Sequence, residues 1–340
     1  MLHDTKVGEL WGHNVDKWPH DIWRRAHQNA KHLIEEGNDP LKIICERSRS
    51  EGILIYPSLN VQWEDSPERG EGTVWVRVSD FRFNNKHLEI GAKGGINPEF
   101  RGYKALDFKH KAVREERFAI IKETVDRYPI DGFEINLNNC PYYFHPDEVE
   151  DGINIMTEWI EQVYETVKKS GSNRKLAIRV ANSIERCKSV GLDIQEWINQ
   201  GIVDVLVSQD QNYRPNHMAN FHPLVKSAEN TPCLIFAAIQ NMVSDPAPLH
   251  SEPIEMTRAS ACNYWDQGID GLFLDRGWFA DWPYGSSFYE KLRELPHPNL
   301  MAQKDKSYHI LTGDGRTAGL EFSAKLPALL EEGNPTDIQF

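Results

Sequence analysis

Short apolar runs alternate with helix-period segments along most of the chain, and this alternation restricts the fold more than any other feature. Residues 53–59, 131–138, 175–180, 203–207, 233–237 and 271–275 read as strands. Between most of them lies one segment with apolar residues at helical spacing. Met156, Trp159, Ile160, Val163 and Val167 form the clearest such stripe. Alternation of this kind implies a parallel sheet with helices outside it. Six strands are visible, and a closed eight-stranded barrel needs two more. Residues 307–311 offer one. No strand is visible before the first helices, which are read from Ile22, Trp23, Ala26, Ala30, Leu33 and Ile34 and from a second run after Asp39 and Pro40. The expected fold is therefore α/β, a TIM-like (β/α)8 barrel lacking its first strand. An open doubly wound sheet would need fewer strands, but no G-x-G-x-x-G follows an early strand.

The domain reading is one barrel over residues 1–312, with a long irregular loop at 60–109 that includes a small hairpin strand at 73–78. Loops of that length inside a domain are usually lids or binding loops. Residues 313–340 read as a short β-rich extension. The polar, aromatic segment 5–18, with Trp11, His13 and Trp18, has no period and reads as a loop bordering a site.

The central strand carries the most informative pattern. Side chains alternate along a strand, so Phe133, Ile135 and Leu137 share one face and Glu134, Asn136 and Asn138 the other. A carboxylate and two carboxamides on one face of a core strand are costly unless they meet partners, water or a ligand. A hydrogen-bonded ladder would satisfy them, and so would a polar site. In a parallel barrel the ligand site lies at the carboxyl ends of the strands. That rule gathers Pro57 to Asn60, Glu134 to Asn138, Arg179 to Asn182, Ser208 to Gln211, Gln240 with Asn241, and Asp275 to Trp278, and every one of these strand ends turns polar. Parity puts Arg179 with Ala177 and Asp275 with Phe273, so Glu134, Arg179 and Asp275 are expected at one mouth.

Two carboxylates there suit acid/base work on a glycosidic bond. Glu134 is the expected acid or nucleophile, and Asp275 its partner. Arg179 would orient a carboxylate or bind substrate; a buried Arg179–Asp275 salt bridge is the structural alternative. Asn60, Asn136, Asn138, Asn182, Gln209 and Asp210 would contact hydroxyls. Tyr56, Trp63 and Trp278 would offer stacking surfaces among ten Trp and eleven Tyr.

Other chemistries fit less well. The net charge of −13, with no basic block, argues against nucleic acid as a partner. No apolar run approaches the ~20 residues that span a bilayer. The opening residues show no export signal, which as given reads as cytoplasmic, with a secreted or periplasmic protein the alternative for a trimmed amino terminus. The five cysteines are scattered, with no C-x-x-C, and read as free thiols. His13, His110, His145, His217 and His222 are dispersed without H-x-x-x-H, so no metal is expected, and no cofactor is required.

Ser50-Glu-Gly-Ile-Leu-Ile-Tyr-Pro-Ser-Leu59, Leu106-Asp-Phe-Lys-His-Lys-Ala-Val-Arg-Glu-Glu-Arg117 and Arg127-Tyr-Pro-Ile-Asp-Gly-Phe-Glu134 resemble the "family 10 glycosyl hydrolase-like" proteins. Arg179 and Val180, Glu185 to Cys187, Gly191 to Asp193 and Val203 to Val207 continue the likeness. The resemblance implies a TIM-type barrel, a carbohydrate substrate, a further strand before the first helices and a β-rich end. That family typically carries a second acid where this chain has Asn136. A barrel that binds sugar without turnover therefore stands beside hydrolysis, as does a uronate-directed lyase or dehydratase on the same scaffold.

Overall fold

The computed structural model describes residues 1–18, 20–62, 78–209, 216–217, 219–240, 242–243, 250–251, 254–275 and 286–308. Helices α1 (Asp21–Glu35) and α2 (Pro40–Ser50) come first, then β1 (Ser58–Asn60), α3 (Asp80–Asn84) and α4 (Lys111–Arg127). Next are β2 (Gly132–Asn136), α5 (Val149–Ser170), β3 (Lys175–Ala181), α6 (Ile184–Lys188) and α7 (Ile194–Gln200). β4 (Val205–Gln209), α8 (His222–Ala228) and β5 (Leu234–Gln240) follow, then an antiparallel two-residue pair, β6 (Met242–Val243) and β7 (His250–Ser251). The described chain ends with α9 (Ile254–Asp266), β8 (Gly271–Asp275), α10 (Ser286–Glu294) and α11 (Pro298–Ala302).

Six strands form one sheet in the order β1-β2-β3-β4-β5-β8. The pairs β1–β2, β2–β3 and β5–β8 run parallel, as the alternation predicts. The chain divides into two compact units, residues 1–206 with 227–233, and residues 207–226 with 234–340.

In the first unit the apolar face of the sheet is sealed. Phe133, Ile135, Leu137, Leu176, Ile178 and Val180 are each at most 2% exposed. Each such side chain contributes about 1.5–3 kcal/mol of hydrophobic stabilisation. The predicted α5 stripe is buried throughout, and α5 packs on α4 and β3. Trp159, in that stripe, satisfies its indole N–H by donating to the Arg114 carbonyl at 3.1 Å. Local chemistry sets the helix ends. Asp39 accepts from the Leu41 N–H with Pro40 opening α2, and Gly201 closes α7 at φ 69°, a left-handed conformation that a β-carbon would strain.

One device recurs at the amino ends of the strands. Asp131 donates its N–H to the Ile55 carbonyl, and its carboxylate accepts from the Ile55 N–H at 2.9 Å. Asp204 does the same with Leu176, and Asp270 with Ile235. Each aspartate stands just ahead of a strand and clips it to a neighbouring segment at two points. In the second unit, Arg258 of α9 donates to Glu294 of α10 at 2.7 Å, and both side chains are buried. Lys304 also donates to Glu294.

Several expectations are corrected. The strand at 53–59 shrinks to Ser58–Asn60, because Pro57 has no N–H to give and Ile53 and Leu54 are 60% and 67% exposed. The region 60–109 is not uniformly irregular. It contains α3, two short 3₁₀ turns and a small core of Ile90, Ala105 and Cys140. Gln62, only 2% exposed, anchors this region by donating to the Leu106 and Tyr142 carbonyls. Ser307 and Tyr308 are not in a strand. Most of the 73–78 hairpin and of the 307–311 strand, and all of the 313–340 extension, lie outside the described residues. None of the five cysteines is in a disulfide.

Candidate functional site

The register of β1, β2 and β3 stacks the polar face in two levels. Ser58, Glu134 and Ala177 form one, and Asn60, Asn136 and Arg179 the next toward the carboxyl ends. Arg179 reaches back one level to Glu134. Its Nε and Nη2 each lie 2.6 Å from Glu134 Oε1. These are charge-assisted bonds of the stronger kind. Glu134 Oε2 accepts no hydrogen bond from the protein among the described residues.

The Asn136 carboxamide is held at both ends, by the Asn60 carboxamide and by the Asn138 backbone N–H. Asn136 Nδ2 donates to Asn60 Oδ1 at 2.8 Å, and the Asn138 N–H donates to Asn136 Oδ1 at 3.0 Å. The result is a fixed polar row beside the ion pair. Glu134, Asn136 and Arg179 keep 6%, 7% and 8% exposure, whereas the alternate apolar residues keep 0–2%. The sliver of accessibility lies on the polar face. Asn60 is exposed and Asn182, one residue beyond β3, is half-buried, so both stand toward solvent.

Tyr56 is placed elsewhere. Its ring covers Gly132 at the amino end of β2, where a β-carbon would collide with it and with the Lys175 carbonyl. Burial pushes its phenol pKa upward, and the nearby charges of Asp131 and Asp204 add to the effect. Tyr56 is thus at the opposite end of the strands from the carboxamide row.

In the second unit Asp275 ends β8, 7% exposed and level with Gln240 across β5. Gln209 ends β4 and is likewise 7% exposed. Trp63, Asp210 and Trp278 lie outside the described residues. Among the described residues, no helix is long and apolar enough to cross a membrane.

No protein-family profile and no curated protein matches the chain, so the family resemblance rests on the sequence segments alone. Among solved structures the chain is similar to the PgaB (BpsB) glycoside hydrolase domain from Bordetella bronchiseptica. It is 9% identical, covers 78% of this chain and 80% of that one, and has a TM-score of 0.48. The endo-1,4-beta-mannanase from Rhizomucor miehei is 13% identical, covering 77% and 75%, with a TM-score of 0.49. A chitinase from Chromobacterium violaceum is 9% identical, covering 74% and 83%, with a TM-score of 0.42. Similarity at this level assigns no activity.

Proposed function

We propose that the protein is a carbohydrate-active enzyme on a TIM-like barrel, a glycoside hydrolase that cleaves an oligo- or polysaccharide by carboxylate catalysis. The observation that carries this reading is Glu134. One of its oxygens is gripped twice by Arg179, the other has no protein partner among the described residues, and the fixed Asn60–Asn136 carboxamide pair stands beside it. A carboxylate held in this way suits attack on an anomeric carbon or activation of water. Asp275 is the partner that protonates the leaving oxygen, and water completes the hydrolysis. Arg179 orients Glu134. Asn60, Asn136 and Asn138, with Asn182, Gln209 and Asp210, contact hydroxyls, and Trp63 and Trp278 offer stacking surfaces. Tyr56 is left out of this assignment because it covers Gly132 at the amino end of β2.

The test is release of reducing ends from a panel of oligo- and polysaccharides by the purified chain. Glu134→Gln is expected to lower turnover by at least about 10²–10⁴-fold with an unchanged circular dichroism spectrum. Undiminished turnover in that variant overturns the assignment. Asn136, where the resembled family carries an acid, favours a second reading, a barrel that binds sugar without cleaving it. Saturable sugar binding with no product would select that reading. An unsaturated product absorbing in the ultraviolet would select a lyase.

A further inference from the structure

The segment 5–18 contains a cluster that the catalytic reading does not use. Turns fold the chain back on itself there: the His13 N–H donates to the Leu10 carbonyl, and Gly12 takes φ 78° beneath the Trp18 ring. His27 Nδ1 lies 2.8 Å from the Trp11 carbonyl and fixes the same turn. The turn brings His13 beside Glu9. Asp80, from the first turn of α3, joins them. His13 Nε2 lies 3.1 Å from Asp80 Oδ2, and the Asp80 N–H donates to Glu9 Oε1 at 3.2 Å. One ligand atom from each of the three side chains lies within 4.8 Å of the others.

We propose that Glu9, His13 and Asp80 bind a divalent first-row transition-metal ion, with Zn²⁺ the best-matched, and so tie the amino-terminal turn to α3. Two donors each about 2.0–2.2 Å from one ion stand roughly 2.8–3.6 Å apart in octahedral or tetrahedral coordination. The His13–Asp80 separation falls in that interval. One imidazole with two carboxylates suits such an ion better than Ca²⁺ or Mg²⁺, which favour all-oxygen sets.

Asn14 supplies a separate observation. Its Nδ2 donates to Asp80 Oδ1 at 3.1 Å, as an outer-shell group orients a ligand. The Oδ1 of the same carboxamide is fully enclosed and has no hydrogen-bond partner among the described residues. Enclosed oxygens of this kind call for an ion or an ordered water. The His13 and Asp80 side chains are 27% and 38% exposed, which leaves an entry path and room for water ligands. The site rests on different residues from the proposed catalytic group and stands or falls independently of it.

The test is titration of the EDTA-treated full chain with ZnCl₂, read by calorimetry, and with CoCl₂, read by visible absorption. Saturable binding, a ligand-field band from Co²⁺ and a higher Tm with Zn²⁺ are expected. The chain's other histidines and its five cysteines can also take up Zn²⁺, so variants make the assignment. His13→Ala and Asp80→Asn are each expected to weaken binding by more than about tenfold, and Asn14→Ala by roughly 10–100-fold. Glu148→Gln, which alters a carboxylate bound to Lys93 and Lys109, is expected to leave affinity unchanged. If one ligand variant fails to fold, the other carries the same comparison. No saturable binding at millimolar metal, binding that persists in the ligand variants, or tighter binding of CaCl₂ than of ZnCl₂ would overturn the proposal.

Discussion

Arg179 spends both Nε and Nη2 on a single oxygen of Glu134, each at 2.6 Å, although the two residues stand on different levels of adjacent strands. The guanidinium is thereby committed to fixing a carboxylate. Both side chains are buried, so removing Arg179 breaks the ion pair that holds the buried Glu134 carboxylate. Arg179→Ala is expected to lower unfolding stability by about 3–5 kcal/mol. A Glu134→Leu/Arg179→Met double variant should recover most of that loss. Urea denaturation measures both, and a loss within about 0.5 kcal/mol for Arg179→Ala would show that the pair is not a buried constraint.

Gly132 is required by close approach. A β-carbon there would stand 2.5 Å from the Lys175 carbonyl and would also meet the Tyr56 ring. The ring can move, but the neighbouring strand cannot. Gly132→Ala should therefore cost about 1–3 kcal/mol, and adding Tyr56→Ala should not restore it. Thermal denaturation of the single and double variants checks this.

Asp270 tests the amino-end clips. Without its carboxylate the Ile235 N–H loses its acceptor at 2.8 Å. Asp270→Ala should cost about 1–3 kcal/mol, and Asp270→Asn, which keeps an acceptor, distinctly less. Hydrogen exchange at the Ile235 amide should accelerate in the alanine variant. An unchanged rate would mean that the clip does not hold the strand.

Glu294 predicts an acid response. The hydrogen bond from Arg258 is the main cause of a pKa lowered from 4.5 to about 2, with Lys304 adding to it against the opposing effect of burial. The folded state therefore releases this proton more readily than the unfolded chain. The resulting stability is fully present above about pH 4.5 and is lost as pH falls toward 2. Glu294→Gln should be less stable at neutral pH, and its stability should fall less between pH 4.5 and 2. Parallel slopes for the two proteins over that interval would refute the assignment.

The parallel sheet was legible because its strands are short apolar runs with turn residues at both ends. β8 falls where it was read, and β2 and β3 within a few residues. Strand parity correctly put Glu134 and Asn136 opposite Phe133 and Ile135. It could not give the bond between Arg179 and Glu134, which depends on the register Asn136↔Arg179 across two strands. Apolar composition misled at Ile53 and Leu54, which are exposed, and at Tyr56, which packs on Gly132 at the amino end of β2. α6, capped by Ser183, whose side chain accepts from the Arg186 N–H, is too short to show a period. Asp80 was hidden from Glu9 and His13 by distance along the chain. Only the turn at Gly12 and the position of α3 bring them together.

The aspartates at 131, 204 and 270 settle which residue stands beside which before a strand reaches its functional rim. On the proposed reading, alignment and recognition thereby fall at opposite ends of the strands. Exchanging Asn60, Asn136 or Asn138 for another polar residue would change what that rim can grasp while leaving the frame of the strands intact. A scaffold partitioned in this way can diversify its ligands one position at a time.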